Sequence, residues 1–481
     1  MQTTSRRFLL SCAVILLVVC LCLSVLSIGG AIFLLIPQIK GTSATALPDQ
    51  ATFPAPQLQQ TPTITGIEPA TTPVGSDLPP TTPIGNDLPP NIARQTNLIE
   101  EQIINLRGWQ PTGPVTRTLL NQAQLHQHVL EDFQEDYTAE EAYDDTLTLA
   151  AFGLLEPTFD LYNFYIELYS EQIAGFYDDD VKQMFVVQDD AFDGPERMTY
   201  AHEYVHVLQD QIYDFDEGLN YNDDACEEDS ERCAAIQALI EGDATFTEIN
   251  WLITYATDQD RQEIFAFYNN YSSPVYDSSP DFLKADFLFP YDAGQEFVEY
   301  LYNRGGWDAI NQAYLNPPLS TEQILHPERY PQDIPITVTL PDLTQLLGEG
   351  WREIDHGVLG EWYTFLVLAH GTQPSTRLKE DQAYQAADGW EGDAYAVYYN
   401  DNFKQTVLVL SILWEGPNDA NQFVAAFNQY ANARFGSSTG SRVWNTPEAF
   451  SVLYINDSTT TWLLTPNPTL GEEVARALGL P

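Results

Sequence analysis

The chain has 481 residues, is 44% hydrophobic and 12% aromatic, and carries 20 Lys and Arg against 69 Asp and Glu, a formal net charge of -49. That length and apolar content suffice for two to three packed domains and exclude a chain that is disordered throughout. The charge excludes nucleic acid as a partner and makes acidic lipid headgroups poor ones, because a negative surface repels phosphate.

From Phe8 to Pro37 there is no charged residue. The run exceeds the roughly 20 residues that cross a bilayer core and the roughly 7–15 of a signal peptide's apolar region. Residues 1–40 are therefore read as a cytoplasmic tip and a single uncleaved transmembrane helix, a signal anchor. Arg6 and Arg7 precede the run and only Lys40 follows it closely. The positive-inside bias then leaves the N-terminus in the cytoplasm and the remainder outside the membrane. Residues 41–92 are rich in Pro and Thr and repeat TTPVGSDLPP as TTPIGNDLPP. Proline fixes φ and removes donors, so this stretch reads as a semi-extended stalk that spaces the folded part from the membrane.

Residues 93–345 read as the main domain. TNLIEEQIINLRGW, TRTLLNQAQLHQHVLEDFQEDY, TAEEAYDDTLTLAAFGLLEP and FDLYNFYIELYSEQ carry apolar residues at helical spacing, the third opened by the capping pair Thr138 and Glu141. His126 and His128 stand two apart on one of these helices, face different ways, and read as surface residues. IAGFYD and KQMFVVQD bracket a turn-like DDDV, which predicts a β-hairpin over Gln172 to Val187. A helix from about Pro195 follows, then the acidic loop DDACEEDSERC, then a helix from about Glu231 to Thr257. Cys226 and Cys233 are the only cysteines beyond the apolar run, and an exported location predicts a disulfide between them. Further helical spacing lies in AGQEFVEYLYNRGGWDAINQAYL, and the turn-rich NPPLSTEQILHPERYP holds a short helix from Ser320.

Residues 346–481 read as a separate, smaller α+β domain. HGVLGEWYTFLVLAHG is an apolar helix, DAYAVYYND and KQTVLVLSILWEG are strands, and NDANQFVAAFNQYANARF is a helix. AFSVLYIND and TTTWLLTP make another strand pair before a short terminal helix. The fold class is thus α+β: a mainly helical domain with a small hairpin, joined to a smaller α+β domain.

AHEYVHVLQDQ contains His202-Glu203-x-x-His206. Four residues apart on a helix, the two imidazoles stand one turn apart on one side, where they can hold one cation. Glu203, beside the first histidine, is placed to take a proton from water activated there. The metzincin extension needs Gly at position 209 and His at 212, where this chain has Gln209 and Ile212, so the third ligand lies elsewhere. EGDA occurs twice, from Glu241 and from Glu391. Glu241 sits in a helix among Ile236, Leu239, Ile240 and Phe246, where a buried carboxylate needs a counter-charge that a dication supplies. Glu391, between Gly389 and Gly392, reads as a turn entering a strand. Glu241 is assigned as the third ligand and Glu391 as coincidence. Asp210 or Asp243 is the candidate acceptor that orients a ligand imidazole.

The two histidines and Glu203, followed by Glu241-Gly242-x-Ala244 on a downstream helix, resemble the gluzincin branch of the zincin metallopeptidases. In that branch a glutamate in an E-G-x-A context is the third zinc ligand. The hairpin ahead of the motif resembles the edge-strand arrangement of the zincin-like fold. PPLSTEQILHPERY, and LQDQ after the second histidine, resemble a set of exported bacterial proteins of unassigned substrate. The resemblance covers about residues 96–330. It implies one catalytic Zn2+ held by His202, His206 and Glu241, with Glu203 as general base, and hydrolysis of peptide bonds outside the cytoplasmic membrane. It also implies a downstream His or Tyr that stabilises the oxyanion: His326 is the named candidate, with Tyr330 and Tyr291 beside it. A substrate peptide is expected along an exposed edge strand at Met184 to Val187. Ca2+ is a further candidate occupant, at Asp223, Asp224, Glu227 and Asp229 of the acidic loop. The expected partners are a peptide or protein substrate and the membrane, with no nucleic acid. Two other readings stay open. One is a metal-binding module that has lost catalysis, against which the intact Glu203 stands. The other is a hydrolase of cell-wall peptide crosslinks, for which no wall-binding repeat is visible.

Overall fold

The computed structural model describes residues 88–172, 175–187 and 192–481. The anchor and nearly all of the stalk lie outside the described residues. Among the described residues no helix is long and apolar enough to cross a membrane. The class is α+β, with many helices and two sheets.

Helix α1 (Pro90–Arg107) begins on a proline, whose fixed φ suits a first helical turn. Strand β1 (Thr116–Leu120) follows, where helical spacing had predicted the start of a helix. The helix begins later, as α2 (Gln122–Asp136), at a capping box of Asn121 and Gln124. Helix α3 (Ala139–Phe152) opens on the expected box of Thr138 and Glu141, and α4 (Leu161–Gln172) follows.

Strands β2 (Gly175–Asp178) and β3 (Gln183–Val187) form the expected hairpin. Strand β1 then pairs in parallel with β3, giving the order β1-β3-β2. Met184 to Val187 therefore lie on the central strand, and the expectation of an exposed edge there is corrected. The pairing sets Leu119 against Val186 and Leu120 against Val187, a long-range match of apolar residues that fills the outer side of β3.

Helix α5 (Gly194–Tyr213) packs on β2 and β3. After it come the short α6 (Asp223–Glu228), the long buried α7 (Ser230–Thr254), α8 (Asp258–Asn270) and α9 (Pro274–Ser278). Helix α10 (Asp281–Leu315) is bent at Gly306, where φ is 64°, and α11 (Thr321–Leu325) follows. Helices α7 and α10 touch backbone to backbone. A Cβ on Gly242 would stand 2.2 Å from the carbonyl atoms of Gly294, and one on Gly294 would stand 2.1 Å from the Ala238 oxygen. Only glycine fits on both sides of this crossing.

Beyond α12 (Thr344–Leu347) come β4 (Trp351–Gly357), α13 (Gly360–Ala369), α14 (Glu380–Ala387), β5 (Trp390–Asn400) and β6 (Gln405–Trp414). Helix α15 (Pro417–Phe435), strands β7 (Val443–Asn445), β8 (Phe450–Asn456) and β9 (Thr459–Thr465), and α16 (Pro468–Ala477) complete the chain. The strands form one antiparallel sheet in the order β4-β5-β6-β9-β8-β7. One face shares its core with the helical part. Phe152 of α3 meets Tyr395 and Trp462 edge-on, and Trp362 of α13 stacks on Phe289 of α10. The other face keeps a smaller core of Tyr398, Val407, Val409 and Leu463 under α16.

Candidate metal centre

Helix α5 sets His202 and His206 with ring centroids 4.8 Å apart. Later residues of α5 meet earlier residues of α7, since His202 meets Glu248 while Gln209 meets Ile240. This antiparallel packing brings Glu241 up to both histidines. Its Oε2 lies 3.2 Å from His202 Nε2 and 3.5 Å from His206 Nε2, and all three side chains are buried. One ligand atom from each residue falls within 4.8 Å of the other two. Atoms held about 2 Å from a single tetrahedral ion are themselves roughly 3–3.5 Å apart, so the donor set fits one cation such as zinc.

The electrostatics are those of a cluster built around positive charge. Burial pushes the Glu241 carboxyl up, but the adjoining imidazoles of His206 and His202 outweigh it and hold the group down at about 2. Burial also pushes Glu203 up, and the same imidazoles offset only part of that. Glu203 Oε2 accepts the backbone N–H of Tyr177 at 2.8 Å, while its Oε1 is buried and has no hydrogen-bond partner among the described residues. A buried carboxylate oxygen in that state is in want of a donor.

Each histidine is oriented through Nδ1, leaving Nε2 toward Glu241. His202 Nδ1 pairs with Glu248 Oε2 at 2.9 Å, and His206 Nδ1 pairs with Gln209 Oε1 at 2.8 Å. The Gln209 amide in turn donates to the Ile240 carbonyl at 3.0 Å and to the Tyr314 hydroxyl at 2.7 Å. Tyr314 donates to Asp243, which Arg107 meets at 3.0 Å in full burial. The Arg107 guanidinium lies 3.6 Å from the Trp109 ring centre and 4.1 Å from that of Trp307. The expected orienting acceptors are thus corrected. Asp243 acts at a remove, through Tyr314 and Gln209. Asp210 faces the hairpin instead, accepting from the Tyr177 hydroxyl at 2.6 Å and from Lys182 at 2.8 Å. Glu248 and Gln209 escaped sequence reasoning, although their spacing was visible. Glu248 stands seven residues after Glu241, two turns along the same face, and Gln209 stands three after His206.

Of the three oxyanion candidates, Tyr291 is set beside a ligand, its ring centroid 6.5 Å from that of His202. Tyr330 donates its hydroxyl to the Asn316 carbonyl at 2.6 Å. His326 is not brought to the cluster, and its Nε2 pairs with Glu361 Oε1 at 2.9 Å. Glu391 lies on β5, where its carbonyl accepts the Ile336 N–H, and it belongs to no group of potential ligands among the described residues. Cys226 and Cys233 are joined by a disulfide between α6 and α7. The acidic loop contributes to no such ligand group either, and Asp229 spends its Oδ1 capping α7 at the Arg232 N–H.

A family model described as a domain of unknown function, DUF8575, matches residues 345–475, the six-stranded sheet and its helices. No curated protein and no solved structure matches the chain.

Proposed function

We propose that the chain is a zinc-dependent endopeptidase of the gluzincin type, held on the outer side of the cytoplasmic membrane by its N-terminal apolar run. The observation that carries this reading is the convergence of buried His202, His206 and Glu241 on one point, with the unsatisfied Glu203 oxygen beside it. The disulfide supports an oxidising, exported location.

His202, His206 and Glu241 would hold the zinc, which when bound supplies Lewis acidity that polarises a carbonyl and acidifies water. Glu248 and Gln209 keep the imidazoles turned toward it. Glu203 takes a proton from the attacking water and passes it to the departing peptide nitrogen. The Tyr177 N–H fixes the carboxylate that does so. Tyr291 is the proposed donor to the developing oxyanion. Burial around the three ligands keeps bulk water away and strengthens each of these interactions.

The test uses the full chain purified in detergent, its metal content and a peptide library. The wild type should cleave peptides with zinc bound. Glu203→Gln should keep its zinc and cleave about a hundredfold more slowly or worse. A zinc-loaded wild type that cleaves nothing, or an unimpaired Glu203→Gln, sinks the reading.

A further inference from the structure

The geometry points to a second divalent-cation site, formed by His326, Glu361 and Asp388 where the turn after α11 meets α13 and the turn after α14. The three side chains offer one ligand atom each within 4.8 Å of one another. His326 Nε2 stands 2.9 Å from Glu361 Oε1 and 3.8 Å from Asp388 Oδ1.

The second observation is the state of Glu361. Its side chain is 1% exposed, and its Oε2 is buried without a hydrogen-bond partner among the described residues. Such an oxygen, on a charged group out of water, needs a proton or a cation. Arg329 acts on Glu361 only through its charge, since its hydrogen bonds go to neighbouring carboxylates, Asp388 of the site among them. It meets Asp388 at 2.5 Å, Glu415 at 3.1 Å and Glu322 in a close contact. Asp333 gathers with Glu322 and Glu415 on the same side. Five carboxylates thus surround one arginine and one histidine. Burial pushes Glu361 up, and the hydrogen bond and charge of His326 answer only part of it. A protonated imidazole would satisfy Oε1 and leave Oε2 as it is, whereas a cation can take both oxygens.

One imidazole nitrogen with two carboxylates is a donor set for Zn2+, because an all-oxygen shell is what Ca2+ and Mg2+ prefer. The three residues come from separate segments, so a bound ion would clamp the HPERY turn to the six-stranded sheet's helices. It would act as a structural tie and take no part in peptide cleavage. The site stands whether or not the first cluster is catalytic.

The experiment is zinc titration of the chelator-stripped full chain against a competing dye, with bound zinc counted by mass spectrometry. Wild type should bind two zinc ions. Glu361→Gln and His326→Ala should each bind one, and Glu241→Ala should also bind one. Glu361→Gln combined with Glu241→Ala should bind none. Glu361→Gln retains shape and an acceptor for His326, so it keeps the test valid if His326→Ala fails to fold. One zinc in wild type that Glu241→Ala removes overturns the second site and leaves the first. One zinc that Glu361→Gln removes and Glu241→Ala does not supports the second site and overturns the first. Two zinc ions in both wild type and Glu361→Gln overturn the inference outright.

Discussion

The backbone N–H of Tyr177 donates to Glu203, and the Tyr177 hydroxyl donates to Asp210 seven residues further along the same helix. One residue of an edge strand thus pins both ends of two turns of α5. Tyr177→Phe keeps the first bond and loses the second, leaving the buried Asp210 with Lys182 as its side-chain partner. A stability loss of about 1–3 kcal/mol is expected, read by chemical denaturation. Metal content should stay unchanged. A variant as stable as wild type would show that Lys182 alone holds the hairpin.

Metal affinity should follow the geometry of α7. Glu241→Ala should lose the zinc at this centre, and Glu391→Ala should retain it. Glu248→Ala should weaken binding about 10- to 100-fold, because the His202 ring loses the acceptor that fixes it. Competition titrations distinguish these three outcomes. Equal affinities in wild type and Glu248→Ala would mean that packing alone orients His202.

At the crossing of Gly242 with Gly294 the contact of α7 with α10 tolerates no side chain. Gly242→Ala should cost about 1–3 kcal/mol or more, since the added carbon meets backbone that cannot step aside. Because Glu241 is the preceding residue, zinc affinity should fall with stability. Thermal unfolding and metal titration of the one variant check both effects.

The disulfide ties Cys226 of α6 to Cys233 in the first turn of α7, a sequence separation of 7. Replacing both cysteines with serine should cost about 2–3 kcal/mol through the freedom returned to the unfolded chain. Free-thiol titration of native protein should find neither Cys226 nor Cys233 reactive. Two reactive thiols in this region, with unchanged stability on reduction, would contradict it.

Asp393 provides a pH dependence of known sign. It is buried, accepts the N–H groups of Leu359 and Gly360 and the Trp390 indole, and burial outweighs these bonds to push its carboxyl up to about 6. The unfolded chain titrates near 3.8. The folded state therefore holds this proton more tightly, and the group's contribution is fully present below the unfolded value. It is lost as pH rises through about 6. The difference in unfolding free energy between wild type and Asp393→Asn should shift by about 3 kcal/mol between pH 3.5 and pH 7. A constant difference would mean that Asp393 titrates alike in the folded and the unfolded chain.

The helices of the candidate metal centre were legible in sequence because their chemistry is local. His202, Glu203 and His206 fall within five residues, and the apolar neighbours of Glu241 mark its helix as buried. Strand β1 was not legible, because TRTLL carries no alternation that separates it from the helix after it. Its true boundary was written in the capping pair of Asn121 and Gln124. The central position of β3 depends on a parallel partner more than sixty residues away, which no local pattern reports. Asp210 and Asp243 looked like orienting groups by position along their helices. Which way each points is decided by Tyr177, Lys182 and Arg107, brought in by tertiary packing.

The core that runs from the helices onto the large sheet bears on how this protein can be divided. Severing the chain near residue 345 would strip Phe152 and Phe289 of Tyr395, Trp462 and Trp362, laying bare aromatic surface on both fragments. Neither piece could then be relied on to stay in solution by itself, and neither could be transplanted onto another protein without a replacement for the lost aromatic face. The half that carries the candidate metal centre and the sheet half share this aromatic surface, so a substitution there acts on the stability of both.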